Sequence, residues 1–172
     1  MRVRTPTRLL WHASIVAAAA AVLTGCQVHT PGSFETQLIE GTKRRVTIGG
    51  RSDVNPLSAT PENIHAGQSN FASYCMVCHG LDGQTTGVPF ADKMSPPVPP
   101  LNSNAVQAYS DGQLHWIIQN GISPSGMPAS KGIFRDEEIW QMVVYIRHLP
   151  AKGSLGEPAV YGGDQKVDKP SK

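Results

Sequence analysis

The chain has 172 residues, of which 40% are hydrophobic, and a formal net charge of +2, so one domain with extended termini is expected. The positive charge lies at the amino terminus, because beyond residue 25 the chain carries 12 Lys and Arg against 13 Asp and Glu. A nucleic-acid partner is therefore not expected, since such binding needs a basic surface.

Residues 1–25 have the pattern of a secretory signal peptide. Arg2, Arg4 and Arg8 form a positive amino-terminal region, and residues 13–23 form an apolar stretch of eleven residues broken only by a serine. This stretch is too short to span a bilayer as a permanent helix. A buried helix is disfavoured, because the small residues show no amphipathic period.

The apolar stretch ends at Leu23-Thr24-Gly25-Cys26, which resembles the bacterial lipobox. That resemblance implies that Cys26 is lipidated and becomes the first residue of the mature protein. Two or more acyl chains anchor stably where one binds only marginally, so we expect an exported lipoprotein on a periplasm-facing membrane. Gln27 favours the outer membrane over the inner one. An ordinary secreted protein with an unrelated Cys26 is the alternative.

Polar segments are predicted on both sides of the folded region. Residues 26–59 are rich in Gly, Thr and Ser and are interpreted as a flexible, lipid-anchored tether. The basic run Lys43-Arg44-Arg45 within it is interpreted as a solvated charge cluster rather than a headgroup-binding site. Residues 151–172 form a second polar stretch, predicted to be disordered.

A first helix is predicted to begin at Thr60, whose hydroxyl can cap it. Pro61 suits the first helical position, and Glu62 favours the amino-terminal end of the helix dipole. Apolar residues then recur at helical spacing as far as the cysteines of the next motif. A long loop follows, and the prolines in its run 95–100 forbid a helix there.

The most informative pattern is Cys75-Met76-Val77-Cys78-His79, because Cys-x-x-Cys-His is the attachment signature of c-type haem. Cysteines about one helical turn apart can form thioethers with both vinyl groups of one porphyrin. The adjacent histidine then supplies an imidazole to the iron. The pattern predicts one haem c, held covalently through Cys75 and Cys78 and ligated by His79.

Two other kinds of site, and chance, are the alternatives for this motif. A thioredoxin-like Cys-x-x-Cys needs a βαβ setting and leaves His79 unexplained. A structural zinc site needs four ligands, and the chain has three cysteines with no second Cys-x-x-Cys pair. With Cys26 assigned to lipid, no cysteine remains for a disulfide.

Two further helices are predicted after the loop. Ser110 caps the second, and Gly121 ends it. The third covers about residues 135–149 and is ended by Pro150. Residues 60–150 would thus form an all-α core, and they carry four Lys and Arg against seven Asp and Glu.

Haem iron accepts a second axial ligand, and methionine is the usual choice for outer-sphere electron transfer. Outside the signal, the motif and the apolar helix faces, the methionines are Met94 and Met127. Met127 is favoured, because it lies in the loop between the second and third helices, where Gly126 allows close approach and Pro128 fixes the backbone. Met94 and the remaining histidines are the alternatives.

Residues 60–150 resemble the class I c-type cytochromes. The resemblance rests on the haem motif, Gly83, Pro99-Pro100-Leu101, Gly126-Met127-Pro128-Ala129, and the stretch from Ile139 to Pro150. It implies an all-α cytochrome c fold of three to five helices around one covalently attached haem. It also implies that the Pro99 carbonyl holds His79, that Leu101 packs on the porphyrin and that Met127 is the sixth ligand.

These features predict a membrane-anchored one-electron carrier rather than an enzyme, with membrane-associated redox proteins as donor and acceptor. The negative charge of residues 60–150 favours a positively charged partner surface. A cytochrome subunit of a larger dehydrogenase or oxidase complex is the alternative. A haem peroxidase or gas sensor would require a labile sixth ligand.

Overall fold

The computed structural model describes residues 47–123 and 125–162. Its five α-helices are α1 (Pro61–Tyr74), α2 (Met76–His79), α3 (Asn104–Gln107), α4 (Asp111–Asn120) and α5 (Asp136–Arg147), and a 3₁₀ helix follows at Ala159–Tyr161. In this part of the chain, β-structure is limited to two isolated bridges. The predicted all-α fold of three to five helices is confirmed.

Local signals set the ends of α1 and α4 as the sequence predicts. The Thr60 hydroxyl accepts a hydrogen bond from the Asn63 amide at 3.3 Å. At α4, the Ser110 hydroxyl accepts from the Gln113 amide at 3.2 Å, and the Gln113 side chain accepts from the Ser110 amide at 3.1 Å. This reciprocal capping box satisfies two backbone donors that the helix leaves unpaired. Gly121, with a φ of +70°, ends α4.

Helix α5 begins without a capping hydroxyl. The Glu138 carboxylate instead accepts from the Arg135 amide at 2.7 Å and from its guanidinium at 3.0 Å. Both side chains reach solvent, so this pair stabilises the helix end only modestly.

The main packing contact is between α1 and α5, which cross at Gly67. A Cβ at Gly67 would lie 2.0 Å from the backbone oxygen of Gln141 in α5. Only glycine allows this approach. One turn along α1, the ring of Phe71 packs on Tyr145 at 5.3 Å between centroids. A hydrophobic core forms around this crossing from the buried residues Phe71, Leu101, Leu114, Ile118, Ile139, Trp140, Met142, Val143, Tyr145 and Ile146.

Arg147 ties the end of α5 to the preceding helices. Its Nε donates to the Asp111 carboxylate at 2.8 Å, and its Nη1 donates to the backbone and side-chain oxygens of Gln107 at 2.9 Å. Nη2 donates to the backbone oxygen of Tyr109. The planar guanidinium can hold several acceptors at once, which an ammonium cannot do in the same geometry.

Residues 47–59 are folded onto the helices, so the prediction of a flexible tether is wrong for them. A Cβ at Gly50 would lie 2.3 Å from the Gly112 oxygen in α4. Asn55 donates to the Trp140 oxygen at 3.2 Å, and Leu57 packs against the core. Composition alone does not predict this packing, because it depends on the Asn55 side chain and on the backbone at Gly50, which meet the helices only in the folded chain.

Residues 151–162 are likewise folded, and the prediction of disorder is wrong for them. The Gly153 amide donates to the Asp82 carboxylate at 2.7 Å, and the Tyr161 hydroxyl donates to the Val77 oxygen at 2.7 Å. Pro158 between them is fully buried. The carboxyl-terminal segment, as we call residues 151–162, therefore packs against the Cys-x-x-Cys-His motif and the loop after it.

The predicted signal peptide, the lipidation site Cys26 and residues 163–172 lie outside the described residues. Helices long and apolar enough to cross a bilayer are absent from the described residues.

The crossing of α1 and α5 makes Gly67→Ala a test of the fold. Because the new methyl group would meet backbone atoms that cannot rotate away, the helices must separate, and we expect a loss of about 1–3 kcal/mol in unfolding free energy. Denaturant titration followed by circular dichroism measures this. Ser69→Ala, on the exposed side of α1, is the control and should change the free energy by less than about 0.5 kcal/mol. Equal stability of the two variants would contradict the packing described here.

Candidate haem site

The Cys-x-x-Cys-His motif forms a tight helical turn at the end of α1. The Cys75 amide donates to the Phe71 oxygen at 2.8 Å and so closes α1, while the Cys75 oxygen accepts from Cys78 at 3.1 Å and from His79 at 3.0 Å. The two cysteines are thus one turn apart, as the sequence predicts. Both are free thiols and half-buried.

The environment of Cys75 differs from that of a redox-active thiol. Burial, and secondarily the neighbouring Cys78, raise the pKa of Cys75 to about 12. Thioredoxin-like pairs depend on a lowered cysteine pKa instead. Among the described residues, no group of three or more His, Cys, Asp or Glu side chains is placed so that it could hold a metal ion.

His79 is held as a neutral imidazole. Burial lowers the pKa of His79 to about 4 and outweighs the backbone of Pro99, which raises it through a hydrogen-bond interaction. Nδ1 is enclosed, and among the described residues no group meets it with full hydrogen-bond geometry. The His79 ring also lies near the ring of Phe71, at 6.3 Å between centroids and with the planes tilted by 49°. A neutral imidazole is the form that binds iron.

The loop after the motif turns back onto it. The Thr85 amide donates to the His79 oxygen at 2.7 Å. Gly80 has a φ of +73°, and a Cβ there would lie 2.8 Å from the Thr86 nitrogen. The Leu101 amide donates to the Gly83 oxygen at 2.8 Å. Residues distant in sequence, including the predicted porphyrin contact Leu101, are in this way held beside the motif.

Met127 lies in a turn after α4. The Ile122 amide donates to the Met127 oxygen at 3.1 Å, and the half-buried Met127 side chain packs against the core. Cys75 packs against the same core, to which Leu101 belongs. The structure thus brings two predicted site residues, Met127 and Leu101, and one motif cysteine against a single hydrophobic cluster.

The alternative methionine also reaches this turn. The methyl carbon of Met94 would lie 3.5 Å from a Cβ at Gly126, the residue before Met127. Both candidate sixth ligands therefore approach one short segment of the chain, and the structure leaves Met94 as the alternative.

The helical histidines lie as expected from the sequence, exposed or packed. His65 and His148 are exposed. His115 is buried, stacks on Trp140 at 4.1 Å and approaches the Asp136 carboxylate at 2.9 Å.

Several polar residues around the loop were missed by the sequence analysis. Asp82 is fully buried, and Gln84 is 5% exposed. Gln84 donates to the Pro150 oxygen at 2.9 Å and accepts from Asn102 at 2.8 Å. The Tyr145 hydroxyl donates to the Leu81 oxygen at 2.9 Å. The signal available was a short run of polar residues, Asp82 to Thr86, directly after a haem motif.

These residues fit a covalently attached haem. Two free thiols one turn apart are available for thioethers, and a neutral imidazole stands beside them. The Nδ1 atom of His79 is buried without a full hydrogen-bond partner among the described residues, and the Pro99 backbone interacts with the His79 side chain. A backbone acceptor for the second ring nitrogen is what orients a metal-bound imidazole.

Comparisons with known proteins agree with this chemistry. Residues 62–146 match the family model described as cytochrome c oxidase, cbb3-type, subunit III. Among curated proteins, the chain is 26% identical over 91 residues to the quinohemoprotein alcohol dehydrogenase ADH IIB of Pseudomonas putida, over 53% of this chain and 12% of that protein. The chain therefore spans only a small part of that relative.

Among solved structures, the chain is similar to one in the reducing HAO-like protein complex of Kuenenia stuttgartiensis, with 24% identity and a TM-score of 0.46. That match covers 54% of this chain and 46% of the other. The family match and the five-helix fold lead to one identification. The folded region of this chain belongs to the cytochrome c family, whose members are electron-transfer haem proteins.

Proposed function

We propose that the chain is a membrane-anchored monohaem c-type cytochrome that carries single electrons between redox proteins. The observation that carries the proposal is the turn at the end of α1, where two free cysteines and a neutral histidine adjoin the core of a cytochrome c domain. No other group of described residues offers this combination of donors.

Each site residue has a part in this proposal. When bound, the haem supplies one-electron oxidation and reduction at its iron. Cys75 and Cys78 would hold it covalently, and His79 and Met127 would supply the two protein ligands of its iron. Because two protein ligands leave no open position for a substrate, electron transfer is favoured over peroxidase or gas-sensor chemistry.

The remaining residues position these ligands. The Pro99 carbonyl is the acceptor we assign to Nδ1–H of His79, which keeps the ring orientation and the tautomer fixed. Leu101 is buried and held to the motif loop through Gly83, a location suited to packing on the porphyrin. An apolar surround of this kind, together with the axial ligands, sets the reduction potential.

Charge and the amino-terminal signal support the proposed setting. Residues 60–150 hold four Lys and Arg against seven Asp and Glu, which favours weak, reversible docking to a partner with a positive surface. Leu23 to Cys26 support a lipid anchor on a periplasm-facing membrane, and Gln27 favours the outer membrane. The anchor would confine the domain to the surface where membrane-associated donors and acceptors lie.

A second candidate is a cytochrome subunit of a larger oxidoreductase complex. The family model is named for a subunit of a cbb3-type cytochrome c oxidase, and the Pseudomonas putida relative is named as an alcohol dehydrogenase. The site chemistry would be the same in both settings, and only the partners would differ.

Covalent haem attachment is the first consequence to test. Denatured wild-type protein extracted with acidified acetone should retain one haem per chain, because the thioethers survive while the axial bonds do not. Cys75→Ala or Cys78→Ala should leave one thioether or none, visible in the intact mass and in the pyridine haemochrome spectrum. Cys26→Ser is the control and should keep its haem. Extraction of haem from the wild type would contradict the proposal.

Replacing Met127 and Met94 separately tests which of the two methionines is the sixth ligand of the iron. Met127→Ala should abolish the weak sulfur–iron absorption at the red end of the ferric spectrum and should allow carbon monoxide to bind the ferrous protein. The midpoint potential should fall by on the order of 0.1 V or more, since axial ligands set potentials over a span of roughly 0.8 V. Met94→Ala is the matched control, and if it alone has these effects, Met94 is the ligand. Carbon monoxide binding by the wild type would favour a gas sensor or peroxidase.

Membrane attachment is tested with the full chain in a bacterial host. The wild type should pellet with membranes and resist high-salt washing, because acyl chains hold where the basic run at 43–45 would be screened. Cys26→Ser should release the protein from the membrane fraction. Density fractionation then distinguishes the outer from the inner membrane, and a native gel stained for haem distinguishes a free carrier from a complex. A soluble wild type would contradict the anchor.

A further inference from the structure

Asp82 is a carboxylate buried in the loop directly after the haem motif. It is 0% exposed, which is uncommon for an aspartate without a specific partner. A buried charge is costly unless hydrogen bonds compensate for the lost water. The surroundings of Asp82 therefore show how the loop meets that cost.

Three donors form hydrogen bonds with Asp82, and its carboxylate is the acceptor in each of them. Oδ1 accepts from the Gln84 amide at 2.9 Å. Oδ2 accepts from the Thr86 hydroxyl at 2.6 Å and from the Gly153 amide at 2.7 Å. An ionised carboxylate is acceptor-only, and Asp82 is the acceptor in all three of these hydrogen bonds.

The negative charge has no cation beside it. Within the described part of the chain, the contacts between basic and acidic side chains are His115–Asp136, Arg135–Glu138 and Arg147–Asp111. Asp82 is in none of them. Its field is thus reduced by three neutral dipoles rather than cancelled by a neighbouring charge.

The carboxylate lies close to the residue that we assign to the iron. A Cβ at Gly80 would lie 3.3 Å from Oδ1 of Asp82, and Gly80 directly follows His79. The amide of Thr85 donates to the His79 oxygen at 2.7 Å, so the loop that carries Asp82 is closed onto the ligand itself. The charge also acts on Tyr145, whose pKa is raised first by burial and second by Asp82.

We propose that Asp82 is a positioning residue of the haem site, a buried negative charge that lowers the reduction potential while fastening the carboxyl-terminal segment to the motif loop. This inference rests on the proposed haem function. Oxidised iron carries one more positive charge than reduced iron, so a fixed carboxylate nearby favours the oxidised state.

The hydrogen bonds to Asp82 allow two changes with opposite expected effects on the midpoint potential. Removing the charge should raise the midpoint potential. Removing one donor while keeping the charge should lower it, because less of the carboxylate field is then offset. If Asp82 had a purely structural role, both changes would loosen the same loop, and they would not shift the midpoint potential in opposite directions.

The experiment uses the full-length haem-loaded protein. Midpoint potentials are measured by spectroelectrochemistry for wild type, Asp82→Asn and Thr86→Val, after the covalent haem has been verified by its spectrum and mass. We expect an upward shift for Asp82→Asn and a downward shift for Thr86→Val. Asp92→Asn removes the same charge from an exposed position of the same loop and should shift the potential much less. Thr86→Ser keeps the hydroxyl and should match the wild type.

The outcomes separate this inference from the function on which it rests. A wild type without covalent haem overturns both. Normal haem with unchanged potentials, or with shifts of the same sign for Asp82→Asn and Thr86→Val, overturns only the role of Asp82. If Asp82→Asn does not assemble, the comparison of Thr86→Val with Thr86→Ser decides, and equal potentials for these two overturn the inference.

Limited proteolysis tests the second part of the inference. Cleavage after Lys152, which adjoins Gly153, should be several-fold faster in Asp82→Asn than in wild type, since the donor at Gly153 loses its charged acceptor. Asp92→Asn should be cleaved at the wild-type rate. Equal cleavage rates in wild type and Asp82→Asn would show that the carboxylate does not fasten the segment.

Discussion

The close approach of α1 and α5 at Gly67 is the constraint on which the rest of the fold depends. It lets Phe71 and Tyr145 meet in the core, and each then contacts the site region. The Phe71 ring lies beside the His79 ring, and the Phe71 backbone oxygen accepts a hydrogen bond from the Cys75 amide. The Tyr145 hydroxyl donates a hydrogen bond to the backbone oxygen of Leu81. The orientation of the Cys-x-x-Cys-His motif therefore depends on a helix crossing that lies more than one turn away.

Much of this could be read from short stretches of sequence. The ends of α1 and α4 follow from Thr60, Ser110 and Gly121, because capping depends on residues within one turn of each other. The spacing of Cys75, Cys78 and His79 belongs to the same local class. The family match over residues 62–146 adds agreement at the level of the whole domain.

The remainder depends on contacts that no local rule encodes. Asn55 bonds to Trp140 and Tyr161 to Val77, pairs separated by more than 80 residues, so polar segments that look disordered find partners only in the folded state. The burial of Asp82 has the same origin, as one of its donors comes from Gly153. The composition of a segment indicates the average entropic cost of ordering it. It does not indicate whether a distant hydrogen-bond partner will offset that cost.

The carboxyl-terminal segment also bears on how such domains recombine during evolution or in protein engineering. A graft cut at the limits of the family match, residues 62–146, would leave behind the segment that donates hydrogen bonds to Val77 and Asp82. The recipient would acquire the haem motif with one backbone acceptor, at Val77, and one side-chain acceptor, at Asp82, that have each lost a donor. The transferable module in this chain is longer than its recognisable core, and it includes residues 47–59 and 151–162 as its own flanks.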